Sequence, residues 1–137
     1  MSCKIFISYR RSDATELAKN LESILKDKFG PAAVFLDSEK VNPGDKPSAV
    51  LLKNLATCVV MVVIMGPHWI DTRDEQTSAL RLDDPEDWVR REITQALERD
   101  VFIIPVLVDA TSMPKRDQLP EKLRRLLDTE PARISGA

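Results

Sequence analysis

The chain is poor in the residues that build the commonest catalytic and metal centres. Its single histidine, His68, excludes a His-based metal cluster and any Ser-His or Cys-His nucleophile pair. The two cysteines, Cys3 and Cys58, stand apart and form no CxxC, so the expectation is buried reduced thiols in a cytoplasmic protein. Only four glycines are present, and neither GxGxxG nor a Walker loop occurs, which removes the usual phosphate-cradling fingerprints. No apolar run approaches transmembrane length; the longest, Cys58 to Met65, is strand-sized. No signal-peptide pattern precedes the first apolar segment. A net charge of -2 argues against a general nucleic-acid binder or a polybasic membrane binder, while permitting a local basic pocket.

What is present suits one globular domain of 137 residues with a core of ordinary size. Apolar runs alternate with amphipathic stretches. Strands are predicted at Lys4–Tyr9, Ala33–Asp37, Val59–Met65 and Val101–Val108. Helical spacing runs over Thr15–Lys28, Ser48–Ala56, the segment after Asp84, and Leu119–Leu127. A turn-rich loop from Ser38 to Pro47 and a long connection from Gly66 to Asp83 separate them. This alternation predicts an α/β, flavodoxin-like three-layer sandwich, with a central parallel sheet of four to five strands and helices on both faces. Only Ala132–Ile134 is available as a fifth strand, which suggests a domain boundary there. Ligands of such sheets bind beyond the carboxyl ends of the strands, where strand order reverses.

Three segments converge on that edge, Tyr9 to Asp13, Asp37 to Gly44 and Gly66 to Trp69, and the helix carrying Glu92 begins on the same side. Arg10-Arg11-Ser12-Asp13 sets two guanidiniums before a helix that Ser12 or Asp13 can cap, with Glu16 at capping-box spacing from Asp13; such an arrangement suits phosphate, or equally a salt-bridge cluster reaching Asp37 or Glu39. Asp37 to Gly44 makes a charged Pro-Gly turn that on composition alone reads as an exposed loop. The stretch Asp84 to Ile93 reads as a helix start, with Asp84 as cap, Pro85 in the first position and Asp87 as the capping-box acid. Trp88 and Glu92, four apart, share a face at the edge of the Val89/Ile93/Ala96/Leu97 stripe. Taken alone, Glu92 reads as a solvated residue pairing with Arg91 or Arg99; beside the sheet's cleft it becomes a candidate catalytic carboxylate. His68 reads as a loop residue and Trp69 as packing. A phosphoacceptor receiver domain shares this architecture, but the third strand ends Met65-Gly66 without its Asp, and the fourth lacks a Lys at its end.

In combination these residues resemble a Toll/interleukin-1 receptor (TIR) domain of bacterial, NAD-cleaving type. Phe6-Ile7-Ser8-Tyr9-Arg10-Arg11 resembles the family's first box. Val34-Phe35-Leu36-Asp37 with the Pro-Gly loop resembles its second strand and BB loop. Asp87 to Ile93 resembles the helix of the TIR enzymes that consume NAD, and Ile104-Pro105-Val106 the fourth strand. The resemblance implies a TIR domain over 1–137, with a core over 3–128, as the N-terminal domain of a longer protein. It implies Glu92 as the catalytic glutamate and Trp88 as its aromatic neighbour. Tyr9, Arg10, Arg11, Asp37, Lys40 and Gly44 are implied as further substrate-binding positions. Asp45 and Lys46 stand where some NAD-cleaving members carry an aromatic.

The implied activity is an NAD+ glycohydrolase, giving nicotinamide and ADP-ribose or a cyclic form. NAD+ is then substrate, and no cofactor or metal is required. One carboxylate is enough, because nicotinamide leaves NAD+ as a neutral ring without needing a proton, whereas an ordinary glycosidase needs a second carboxyl. The implied setting is bacterial immunity or cell-death signalling, with activation by TIR–TIR self-association and a sensor or oligomerisation domain following this chain. The alternatives are a non-catalytic TIR–TIR scaffolding module and a nucleotide sensor without turnover.

Overall fold

The computed structural model describes residues 4–36 and 53–135. Five parallel strands form one sheet: β1 (Ile5–Ser8), β2 (Val34–Leu36), β3 (Val60–Met65), β4 (Phe102–Val108) and β5 (Ala132–Ile134), in the order β2-β1-β3-β4-β5. All four pairings are parallel. The chain runs outward from β1 to one edge and then, from β3, to the other. The reversal, and with it the expected ligand cleft, lies between β1 and β3.

The central strands are apolar apart from Ser8 at the end of β1, because both faces are covered. Alternate residues serve the two layers. Ile7, Val62, Ile64, Val106 and Val108 meet Ala14 and Ala18 of α1 (Arg11–Phe29). Phe6, Met61, Val63, Met65 and Leu107 meet Val89, Ile93 and Ala96 of α2 (Trp88–Glu98), with Trp69, Leu82, Leu123 and Leu126 filling the same layer. Phe6 and Phe35 add a tilted ring pair at 5.0 Å on that face.

Several local details differ from the pattern reading. α1 begins at Arg11, with a kink at Ala14 (φ -147, ψ 31), rather than at Thr15. Asp13 is consequently inside the helix, and its Oδ1 accepts from the His68 backbone N–H at 2.8 Å instead of capping. α2 begins at Trp88, capped by Asp87, whose Oδ2 accepts the Arg90 N–H at 3.1 Å; Asp84 instead accepts the Glu86 N–H outside the helix. The last helical segment, Glu121–Asp128, is 3-10, which suits buried Leu123 and Leu126 at a spacing of three. Ala132–Ile134 does form the fifth strand, paired with Val106–Val108. The 66–83 connection is ordered by successive turns, by an Arg73–Leu80 bridge and by a 3-10 turn at Arg81–Asp83.

Among the described residues no helix is long and apolar enough to cross a membrane. No group of three or more His, Cys, Asp or Glu side chains among them could hold a metal ion.

Candidate functional site

β1 ends at the reversal point and delivers three consecutive side chains to different places. Ser8 is fully buried and points toward α2, where its Oγ donates to Glu92 Oε1 at 2.9 Å. Tyr9, on the opposite side, packs in the α1 layer with Ala14 and Ala18 and is not among the described residues that line the cleft. Arg10 turns back toward α2. Its Nη1 and Nη2 donate to Asp87 Oδ1 and Oδ2 at 3.0 and 2.9 Å, and its Nε donates to the Trp69 carbonyl at 3.4 Å.

This two-pronged pair is deeply placed: Arg10 is 4 % exposed and Asp87 8 %. Planar guanidinium and carboxylate match in such a fork. Arg10 thus pairs with Asp87, while Asp37 and Glu39, the partners considered for the Arg pair, lie outside the described residues. Arg11, one residue on, is exposed.

A cleft of about 220 Å³ opens here, with Arg11 and Ser12 on one side, Trp88 and Val89 on another, Thr72 and Arg81 from the long connection, and the Arg10–Asp87 pair between them. Trp88 is half-buried, and the Arg91 guanidinium lies 5.5 Å from its ring centroid. Glu92 is not at the rim. It is 0 % exposed, one helical turn deeper than Trp88 and tied to Ser8. The helix stripe is thus wider than the apolar residues suggested. It includes the carboxylate, because Ser8 provides a polar partner inside.

Pattern reasoning missed Ser8, Asp87, Thr72 and Arg81 as parts of this region. For Ser8 and Arg10 a signal existed: alternate residues leaving a strand face the same side, so both are directed to one layer. Arg81 sits in a connection without periodicity, and nothing in the local sequence marks it. Asp37, Lys40 and Gly44 lie outside the described residues.

A larger hollow of about 560 Å³ lies one strand over, beyond the ends of β3 and β4, with Trp69, Ile70, Met113 and Pro114 among its walls. Among the described residues, its lining holds no carboxylate–arginine constellation. His68, as expected of a loop residue, is exposed and faces Asp71 at 3.3 Å.

The family model for the TIR domain matches residues 5–133. The NAD(+) hydrolase tir-1 of Caenorhabditis elegans is 33 % identical over 123 residues, covering 89 % of this chain and 12 % of that protein. The NAD(+) hydrolase sarm1 of Drosophila melanogaster is 31 % identical over 120 residues, covering 88 % of this chain and 8 % of that protein. The chain thus spans about a tenth of the length of these curated relatives. Among solved structures, the TIR domains of the activated Roq1 resistosome recognising the pathogen effector XopQ superpose with a TM-score of 0.61 at 20 % identity, over 88 % of this chain and 66 % of that one. The TIR domain of the Toll-related receptor TRR-2 from Hydra magnipapillata gives 0.59 at 14 % identity, over 94 % and 82 %. These structural likenesses carry the fold. The family match over nearly the whole chain, with the strand order and the β1–α2 contacts described above, places the protein: it belongs to the TIR-domain family.

Proposed function

We propose that this TIR domain cleaves NAD+ at the nicotinamide–ribose bond, with Glu92 as the catalytic carboxylate. The observation that carries this reading is a buried carboxylate on α2, directly below an aromatic wall and beside a basic cleft at the point of strand reversal. The relatives named NAD(+) hydrolase, at 33 and 31 % identity, support it.

The chemistry follows from the geometry. Arg11 and Arg81 give the cleft positive charge suited to a pyrophosphate. Trp88 offers a flat face for a ring or ribose. As the C–N bond breaks, the electron pair leaves with nicotinamide and positive charge grows on the ribose. A carboxylate in a low-dielectric setting stabilises that charge by a few kcal/mol, roughly. Water, or a nitrogen of the adenine, then captures the ribose carbon. Glu92 is covered here, so turnover requires a rearrangement that brings the ribose to it. Assembly of several TIR domains is the means we assign, by raising the population of the open state. NAD+ and further copies of this domain are the partners, and immune or cell-death signalling is the setting.

NAD+ consumption by wild type and by Glu92→Gln tests the reading, with chromatography of the products. Wild type converts NAD+ to nicotinamide plus ADP-ribose or its cyclic form, and the variant does so at least 100-fold more slowly while still unfolding in one cooperative transition. Equal rates for the two proteins, or no turnover by wild type even when crowded into assemblies, refute it. The second reading, a non-catalytic TIR–TIR module, is favoured by one specific feature: Glu92 is fully covered and bonded to Ser8.

A further inference from the structure

We infer that the two adjacent arginines divide their labour: Arg10 is a positioning residue that acts through Asp87 on the catalytic helix, and Arg11 is the arginine that meets the substrate. The inference rests on the assignment of Glu92 as the catalytic carboxylate.

Asp87 does two jobs with one carboxylate. Oδ2 caps α2 by accepting the Arg90 N–H at 3.1 Å and also receives Arg10 Nη2 at 2.9 Å, while Oδ1 receives Nη1 at 3.0 Å. The next residue is Trp88, and Glu92 follows one turn later on the same helix. Two residues before Arg10, Ser8 holds Glu92 itself. The end of β1 therefore grips α2 at its first turn and again at its carboxylate, at points five residues apart along the helix and two apart along the strand exit. Two such ties fix both the rotation and the height of α2 relative to the cleft. A carboxylate that must sit within a fraction of an ångström of a developing charge depends on that placement.

Arg10 is also tied from its other side. Its Nε meets the carbonyl of Trp69, a residue 1 % exposed in the core, so the guanidinium is braced against β3's exit as well as α2. A guanidinium held at three nitrogens by protein acceptors is a brace and not a mobile phosphate clamp. Arg11 lines the same cleft from an exposed position.

The test measures kcat and KM for NAD+ with the full chain under conditions where wild type turns over. The variants are Arg10→Gln, Asp87→Asn, the double Arg10→Gln/Asp87→Asn, Arg11→Gln and Glu92→Gln. Asn still caps a helix, so Asp87→Asn removes the ion pair and keeps the cap. Arg10→Gln and Asp87→Asn are each expected to lower kcat at least tenfold with KM within twofold. The double variant should lose less than the product of the single losses, because neither charge is then left unpaired. Arg11→Gln should raise KM at least fivefold and keep kcat within threefold.

Amide exchange across α2 covers the case of a poorly stable variant: the inference expects the loss of protection in Arg10→Gln to concentrate in the first turn of α2. Loss spread evenly over the whole sheet makes Arg10 a general stabiliser and overturns it. A KM effect at Arg10 equal to that at Arg11, with Asp87→Asn silent, makes Arg10 a substrate contact and also overturns it. If Glu92→Gln is inactive while Asp87→Asn keeps wild-type kcat, the division of labour fails and the catalytic assignment stands. A fully active Glu92→Gln removes the catalytic assignment and this inference together.

Discussion

The Ser8 hydroxyl donates to Glu92 Oε1 at 2.9 Å, joining β1 to α2 across 84 residues of chain, with both side chains at 0 % exposure. A carboxylate so deeply placed is costly unless hydrogen-bonded. Ser8 is therefore as much a part of the fold as of the cleft. Ser8→Ala takes one hydrogen-bond partner from a buried carboxyl group, a loss that costs about 1–3 kcal/mol. Guanidinium unfolding should show a loss in that range, read as a lower midpoint at unchanged slope. A loss below about 0.5 kcal/mol, the scale of an ordinary surface change, would show that the hydroxyl contributes nothing net.

Gly66 follows β3 and faces the carboxyl group of Asp13. A Cβ at this position would lie 2.5 Å from Asp13 Oδ2 and 2.6 Å from its Cγ. Asp13 has little room to retreat, since Oδ1 is bonded to the His68 N–H at 2.8 Å. Gly66→Ala should destabilise by about 1–3 kcal/mol, the usual cost of overpacking. The check is a double-mutant cycle with Asp13→Ala. The Gly66→Ala penalty should shrink in the Asp13→Ala background, and an unchanged penalty would place the clash elsewhere.

Asp74 organises the tip of the long connection. Its Oδ1 accepts from the Gln76 and Thr77 backbone N–H groups at 2.8 and 3.0 Å. Chiefly the Thr77 and then the Gln76 backbone bonds hold its carboxyl below the ordinary value of 3.8. The sign follows: a carboxyl with a depressed folded value supports the turn above its unfolded value and loses that support as pH falls through the folded one. The measurement is an NMR titration of the Gln76 and Thr77 amides. They should move together at a midpoint below that of an unstructured Asp peptide. A midpoint at or above the peptide's would contradict the turn's effect.

The strands were legible because a parallel sheet covered on both faces leaves near-continuous apolar runs, as in Val60–Met65 and Phe102–Val108. β5 was barely visible for the complementary reason. It is a three-residue edge strand with Ala132 and Arg133 exposed, too short to show any alternation. The start of α2 was misplaced by three residues because Asp84-Pro85-Glu86-Asp87 offers more than one acid able to cap. The buried partner decides among them, and Arg10 is 77 residues away. For the same reason Glu92, at the edge of the apolar stripe by periodicity, is found fully inside: periodicity measures apolar content, and a carboxylate buried by a distant serine carries no local mark. The direction of Arg10 against Arg11 was recoverable from strand alternation, whereas the entry of Arg81 into the cleft depends on turns that only the folded connection defines.

The two tryptophans separate fold from site. Trp69 is 1 % exposed within the α2-side core, and Trp88 is half-buried as a wall of the cleft with Arg91 against its ring. Trp69→Ala opens a large void and should cost about 3–5 kcal/mol. Trp69→Phe should be far milder, because the buried indole N–H has no hydrogen-bond partner among the described residues and none is lost with it. Trp88→Ala exposes less new space, so thermal unfolding should shift by only a few degrees, while kcat/KM for NAD+ falls at least tenfold. Trp88→Phe keeps a flat face and should recover most of that loss. The pair of measurements is discriminating. If Trp88→Ala unfolds as readily as Trp69→Ala, its side chain is a core residue. If it keeps both stability and turnover, the aromatic wall has no part in holding the substrate, and the cleft's specificity must come from the arginines alone.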